Sequence, residues 1–209
     1  MITVAKRRDK YPNFEMLLRA EGAHCFLIDC YRRPSSVAII TPHGGKIEPG
    51  TSTIATKIAA NDYCLYRFEG RKPQNNWDLH ITSTRFDEPQ CLTLISVCDH
   101  VVAIHGCEGK EPAVYMGGRD LCLLNAIRDR FDALGISTGM HRKPDLQGIH
   151  SKNICNRGRR GRGVQLEVTY GLRSSLMAMA PSEGELSLAT FAATVRSAID
   201  AVAGQGFGR

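Results

Sequence analysis

Two histidines and two glutamates stand where apolar runs give way to polar turns. His43 and Glu48 lie in Thr41-Pro42-His43-Gly44-Gly45-Lys46-Ile47-Glu48-Pro49-Gly50, directly after the β-favouring run Val37 to Thr41. His105 closes the run His100 to Gly106, and Glu167 lies within Val164 to Thr169. Two histidines and one carboxylate make a ligand set that leaves a fourth position on zinc for water. Zinc lowers the pKa of that water and polarises a carbonyl. A further carboxylate is then needed to take a proton and return it to the leaving group, and Glu167 is the candidate for that work. Read one at a time, the same residues are equally a solvated turn, a satisfied core histidine and an edge-strand carboxylate. The recurrence of a strand that runs straight into His-Gly, at His43 and at His105, favours the site.

The elements that must position these residues follow the rhythm of an α/β sheet. Asn13 reads as the N-cap of a helix through Leu17, with Gly22 as its stop. Phe26 to Tyr31, Val37 to Thr41, Tyr63 to Phe68, His100 to Gly106, Ala113 to Met116 and Val164 to Thr169 read as strands. Pro42, with no N–H to donate, is expected to end the second of them. Thr51 or Ser52 is expected to cap a helix carrying Ile54, Ala55, Ile58 and Ala59, and Asp87 with Pro89 marks another helix start. Leu79 to Ser83 alternates as a strand does, with His80 and Thr82 opposite Leu79 and Ile81. Long helices are expected from Leu121 to Leu134 and from Leu188 to Val202, with a long Gly- and Arg-rich loop between Ile136 and Gly163. The fold class is α/β: one domain over residues 1–209, with a mixed central sheet flanked by helices.

Composition narrows the function classes. The 27 Lys and Arg exceed the 21 Asp and Glu by six, and Arg157, Arg159, Arg160 and Arg162 concentrate the excess in one loop. Such a loop attracts polyanions, nucleic acid or an acidic polymer. Few aromatics accompany it, which argues against stacking on single-stranded nucleic acid. The eight cysteines form no C-x-x-C pair and read as reduced, mostly buried thiols. No apolar run approaches the roughly 18 to 20 residues needed to cross a bilayer, and the basic N-terminus precedes no signal-type segment. A monomer made in the cytoplasm is expected.

The segments Thr41 to Gly50, Phe68-Glu69-Gly70, Leu79 to Ser83, Ala103 to Gly106, Val114 to Gly118, Asn153 to Arg157 and Gly163 to Glu167, in that order, resemble the phage-associated poly-γ-glutamate hydrolases. That family is related in fold to the zinc carboxypeptidases. The resemblance implies that His43, Glu48 and His105 bind zinc and that Glu167 is the catalytic carboxylate. It also implies internal cleavage of a γ-linked glutamate polymer; release on host lysis and action within a bacterial cell both stay open. In carboxypeptidases the first His and Glu are three residues apart, whereas here they are five apart with two glycines between. Asn156 and Arg157 resemble the Asn-Arg pair with which carboxypeptidases grip a carboxylate. Such a polymer carries one free carboxylate per residue, so bidentate guanidinium contacts from Arg157 and Arg173 are expected, with His80 offering a further hydrogen bond. A zinc peptidase or deacylase of small N-acyl amino acids, and a basic nucleic-acid-binding phage protein, are the rival readings.

Overall fold

The computed structural model describes residues 8–178 and 186–204. Its strands are β1 (Phe26–Tyr31), β2 (Val37–Gly45), β3 (Cys64–Gly70), β4 (His100–Cys107), β5 (Val114–Gly118), β6 (Thr138–Gly139) and β7 (Val164–Thr169). Its helices are α1 (Phe14–Glu21), α2 (Thr51–Ala59), α3 (Pro89–Ser96), α4 (Leu121–Ala133), α5 (Tyr170–Leu176) and α6 (Leu188–Ala203). The strands form one mixed sheet in the order β1-β3-β2-β4-β7-β5-β6, in which β3, β2, β4 and β7 are parallel, β1 is antiparallel to β3, and β5 is antiparallel to β7 and parallel to β6. Among the described residues no helix is long and apolar enough to cross a membrane.

Strand alternation divides the core into two layers. Val37, Ile39, Val102, Ile104, Leu166 and Val168 face one side and pack against Ile54 and Ile58 of α2, Leu124 and Ile127 of α4, and Phe191 and Val195 of α6. Ala38, Ile40, Val101 and Ala103 face the other, with Phe14, Leu17, Phe68, Phe86, Leu94 and Ile95. His105, Gln165 and Glu167 have the parity of this second face. The apolar layer stops at the C-terminal ends of β2, β4 and β7, and polar side chains replace it there.

Three local expectations are corrected. Pro42 does not end its strand: Thr41 pairs with Arg67 and Gly44 with Glu69, so β2 spends three steps where β3 spends two and continues to Gly45. The extra residue is a β-bulge at Pro42 and His43, where a residue without an N–H costs no ladder bond and the strand re-aims its side chains. Gly45 follows at φ +61°, a conformation that disfavours any side chain, and a Cβ there would meet Gly70 O at 2.7 Å. Helix α2 is capped by Gly50 in the left-handed region, not by a hydroxyl; Thr51 Oγ1 instead donates to Glu48 O at 2.8 Å, and Ser52 Oγ accepts from Gly45 N at 3.0 Å. Leu79 closes a 3-10 turn, Asn76–Leu79, and the residues after it join no ladder, although Leu79 and Ile81 are buried as the alternation requires. Helix α5 is additional to the expected elements; Thr169 caps it by accepting from Leu172 N, and Leu172 and Leu176 bury its inner face.

Candidate metal centre

Each of the three proposed ligands is held by a different device. The bulge turns His43 inward, where it is 2% exposed, and its Nε2–H donates to Ile81 O at 2.9 Å. That bond fixes the tautomer and leaves the Nδ1 lone pair pointing into the site. Glu48 sits in a tight loop closed by its own N–H donating to His43 O at 2.9 Å, and its Oε2 accepts from Gly106 N at 2.7 Å, which ties the loop to β4. His105 comes from β4 itself, in register with Glu167 on β7, so the two side chains stand side by side on one face.

The donor atoms converge. His43 Nδ1 lies 3.2 Å from Glu48 Oε1 and 3.1 Å from His105 Nδ1, and His105 Nδ1 lies 3.8 Å from Glu48 Oε2. Among the described residues this is the one group of three or more His, Cys, Asp and Glu whose donor atoms gather in this way, all within 4.8 Å of one another. A tetrahedral zinc with ligands at about 2.1 Å needs donors about 3.4 Å apart, inside the observed range. The chemistry agrees with the spacing: lone pairs of two rings and a carboxylate aimed at one buried point repel unless a cation or a proton lies between them. His105 Nε2 is buried with no hydrogen-bond partner. The residues therefore fit a small divalent cation.

Electrostatics point the same way. Burial and the neighbouring His43 push the His105 pKa down to about 3, so this ring is neutral and able to ligate at physiological pH. Burial opposes charge on Glu48 and His43 too, but their mutual attraction wins, holding the Glu48 carboxyl below its usual range and raising His43. Burial and the negative charge of Glu48 push the Glu167 pKa well above the carboxylate range. A carboxylate so destabilised is a stronger base than one in water.

A sequence profile described as poly-gamma-glutamate hydrolase matches residues 11–194 of this chain. The chain belongs to the poly-γ-glutamate hydrolase family. The UPF0714 protein YmaC of Bacillus subtilis (strain 168) is 37% identical to it over 169 residues, 80% of this chain and 72% of that relative. The solved structure of a bacteriophage poly-γ-glutamate hydrolase superposes with a TM-score of 0.86 at 29% identity, covering 94% of this chain and 99% of the other. A zinc-free apo structure of YndL superposes with a TM-score of 0.80 at 28% identity, covering 96% and 100%.

The expected substrate contacts fare unequally. His80 is at the site: its ring stacks on Trp77 at 4.3 Å and lies 4.0 Å from the His43 ring. Its Nδ1–H donates to Asp9 Oδ1 at 2.7 Å. Arg173 is buried beneath the site, where Nε donates to Pro49 O at 2.8 Å and Nη1 to Cys107 O at 3.2 Å and to Val168 O. It braces three segments and brings positive charge towards Glu48 and Glu167. Gly106 makes room for it, since a Cβ there would fall 2.4 Å from Nη1. Arg157 is exposed in the turn Ile154–Arg157 before β7, with Nη1 donating to Phe86 O at 3.0 Å. Asn156 is a correction. Its Oδ1 accepts from Arg119 N and Gly163 N and its Nδ2 donates to Gly148 O and His150 O, so backbone groups fill the amide's capacity and none remains for substrate.

Three residues near the site escaped the sequence reading. Asp9 accepts from His80, from Thr82 N at 2.7 Å and from Arg85; burial works against its charge, but the bonds from His80 and Thr82 hold its pKa below the carboxylate range. Tyr115 of β5 is in register with Glu167 and extends the row His105, Glu167, Tyr115 across three strands, with its ring edge-on to His141 at 4.8 Å. Gln165 donates to Glu167. Only Gln165 left a signal, its shared parity with Glu167; the others depend on contacts far apart in sequence.

Proposed function

We propose that this protein is a zinc-dependent hydrolase that cuts the γ-glutamyl amide bonds of poly-γ-glutamate internally. The observation that carries the reading is the convergence of His43 Nδ1, His105 Nδ1 and the Glu48 carboxylate beside Glu167. Family membership and the similarity to a phage hydrolase support the substrate class. His43, Glu48 and His105 would hold the zinc, which when bound supplies Lewis acidity to water and to the amide carbonyl.

The remaining work falls to the chain. Glu167 takes the proton of the attacking water and delivers it to the departing amine nitrogen, first as base and then as acid. Burial keeps its carboxylate basic for the first step, while the hydrogen bond from Gln165 and then the charge of Arg173 act against the shift. His80, fixed by Asp9 and Trp77, presents a polar edge beside His43 for a substrate oxygen. Exposed Arg157 can meet one of the carboxylates that recur along the polymer.

The test is incubation of the purified protein with poly-γ-glutamate, with and without a chelator, followed by product sizing and metal analysis. Oligomeric products, their loss on chelation and their return with zinc are expected. Absence of zinc together with chelator-insensitive cleavage would overturn the reading.

A further inference from the structure

We propose that Gln165 is the positioning residue that orients the Glu167 carboxylate for proton transfer, an inference that rests on the hydrolase reading above. Both side chains are on the same face of β7 and almost fully buried. Gln165 Nε2 donates to Glu167 Oε1 at 2.8 Å and to Leu146 O at 3.1 Å, while Gln165 Oε1 accepts from Asn153 Nδ2 at 2.9 Å. Asn153 Oδ1 in turn accepts from Cys155 N at 3.1 Å.

The direction of this chain is not free. A backbone N–H can only donate, so Cys155 fixes which end of the Asn153 amide faces it, and the other end, the NH2 group, faces Gln165. That group demands the oxygen of Gln165, which leaves the Gln165 NH2 group facing two acceptors, Leu146 O and Glu167 Oε1. Backbone geometry at Cys155 is thus relayed through two side-chain amides to one carboxylate oxygen. Space for the relay is tight: Gly148, at φ +64°, lies over Gln165, and a Cβ there would fall 2.9 Å from Gln165 Cβ. With Oε1 held by a neutral donor that does not give up a proton, Glu167 Oε2 is left to exchange the proton of the reaction.

The test compares the wild-type chain with Gln165→Met, which removes the donor, and Asn153→Asp, which keeps volume and reverses the relay. With an acceptor at position 153, Gln165 must turn its NH2 group there and its oxygen towards Glu167. Both variants are expected to lose about 10- to 100-fold in kcat, the size typical of an orienting partner, with zinc content unchanged and KM within about threefold. A purely structural role would instead lower Tm and yield while leaving kcat per zinc-loaded molecule unchanged. The proposal is overturned if kcat of either soluble variant stays within about twofold of wild type, or if the loss lies in KM alone. If Gln165→Met does not fold, Asn153→Asp decides alone, and failure of both to fold overturns a positioning role in favour of a structural one. A wild-type chain that leaves the polymer intact fails the functional reading itself, a different result from active wild type with unaffected variants.

Discussion

Strand β4 carries a buried histidine beside a buried carboxylate at each end, and the two pairs do different things. At its start His100 Nδ1 lies 3.6 Å from Asp120 Oδ2, with Arg160 and Arg162 at 3.7 and 4.0 Å from the same oxygen. Asp120 also caps α4 by accepting from Leu123 N. Towards its end His105 Nδ1 lies 3.8 Å from Glu48 Oε2, and the third member is another histidine ring. The first cluster supplies its own cations and uses them to fasten the loop before β7 to the sheet. The second brings together lone pairs and leaves the positive charge to come from elsewhere. A His–carboxylate pair on a strand end is therefore no signature; the charge of the third partner decides.

The contrast is sharpened most by Glu167→Gln, expected to lower kcat about 10³-fold with metal content intact; retained turnover would remove Glu167 from the reaction. Next comes the matched pair His105→Ala and His100→Ala. The first should cost at least about 100-fold in zinc affinity, and the second should leave zinc and kcat alone while costing about 1–3 kcal/mol in denaturant unfolding. Zinc loss from His100→Ala would erase the distinction between the two ends. The smallest effect is expected at a network off both ends, where Tyr11, Lys10 and Lys72 bond Glu21 at 2.6, 2.9 and 2.8 Å. Burial opposes the Glu21 charge, but these partners bring its pKa down to about 2, below the roughly 4.3 of an unfolded chain. Its stabilisation is then complete above pH ~4.3 and lost as pH falls towards 2. Acid titration of unfolding should show Glu21→Gln less stable at neutral pH by up to about 1 kcal/mol, with the gap closing in acid; a constant gap would deny the shift.

Much of this was legible in the chain. Apolar alternation located all the strands but β6, a two-residue strand, and His-Gly at two strand ends pointed to the pair that the fold brings within 3.1 Å. The bulge at Pro42 was not legible, because a missing N–H is compatible with ending a ladder or with stepping over one residue of it; only the partner strand decides. The place of the Arg-rich loop was not legible for a related reason. It adjoins β7 in sequence, but Arg159 donates to Asp99 at 2.7 Å and Arg160 and Arg162 meet Asp120, at the start of the parallel strands rather than at the ends that carry the site. Asn156 was expected to bind substrate because Asn156-Arg157 resembles the Asn-Arg pair of carboxypeptidases, and only the hydrogen-bond count reveals its amide as full.

The anchoring of His80 by Asp9 bears on how the protein is cut for laboratory use. The family profile begins at residue 11, two positions after the carboxylate that holds His80, Thr82 and Arg85 together. A truncated version designed from the profile alone would keep every candidate ligand and the whole sheet, yet lose the peg that seats the ring next to His43. Boundaries for expression, tagging or domain fusion should therefore be drawn upstream of Asp9.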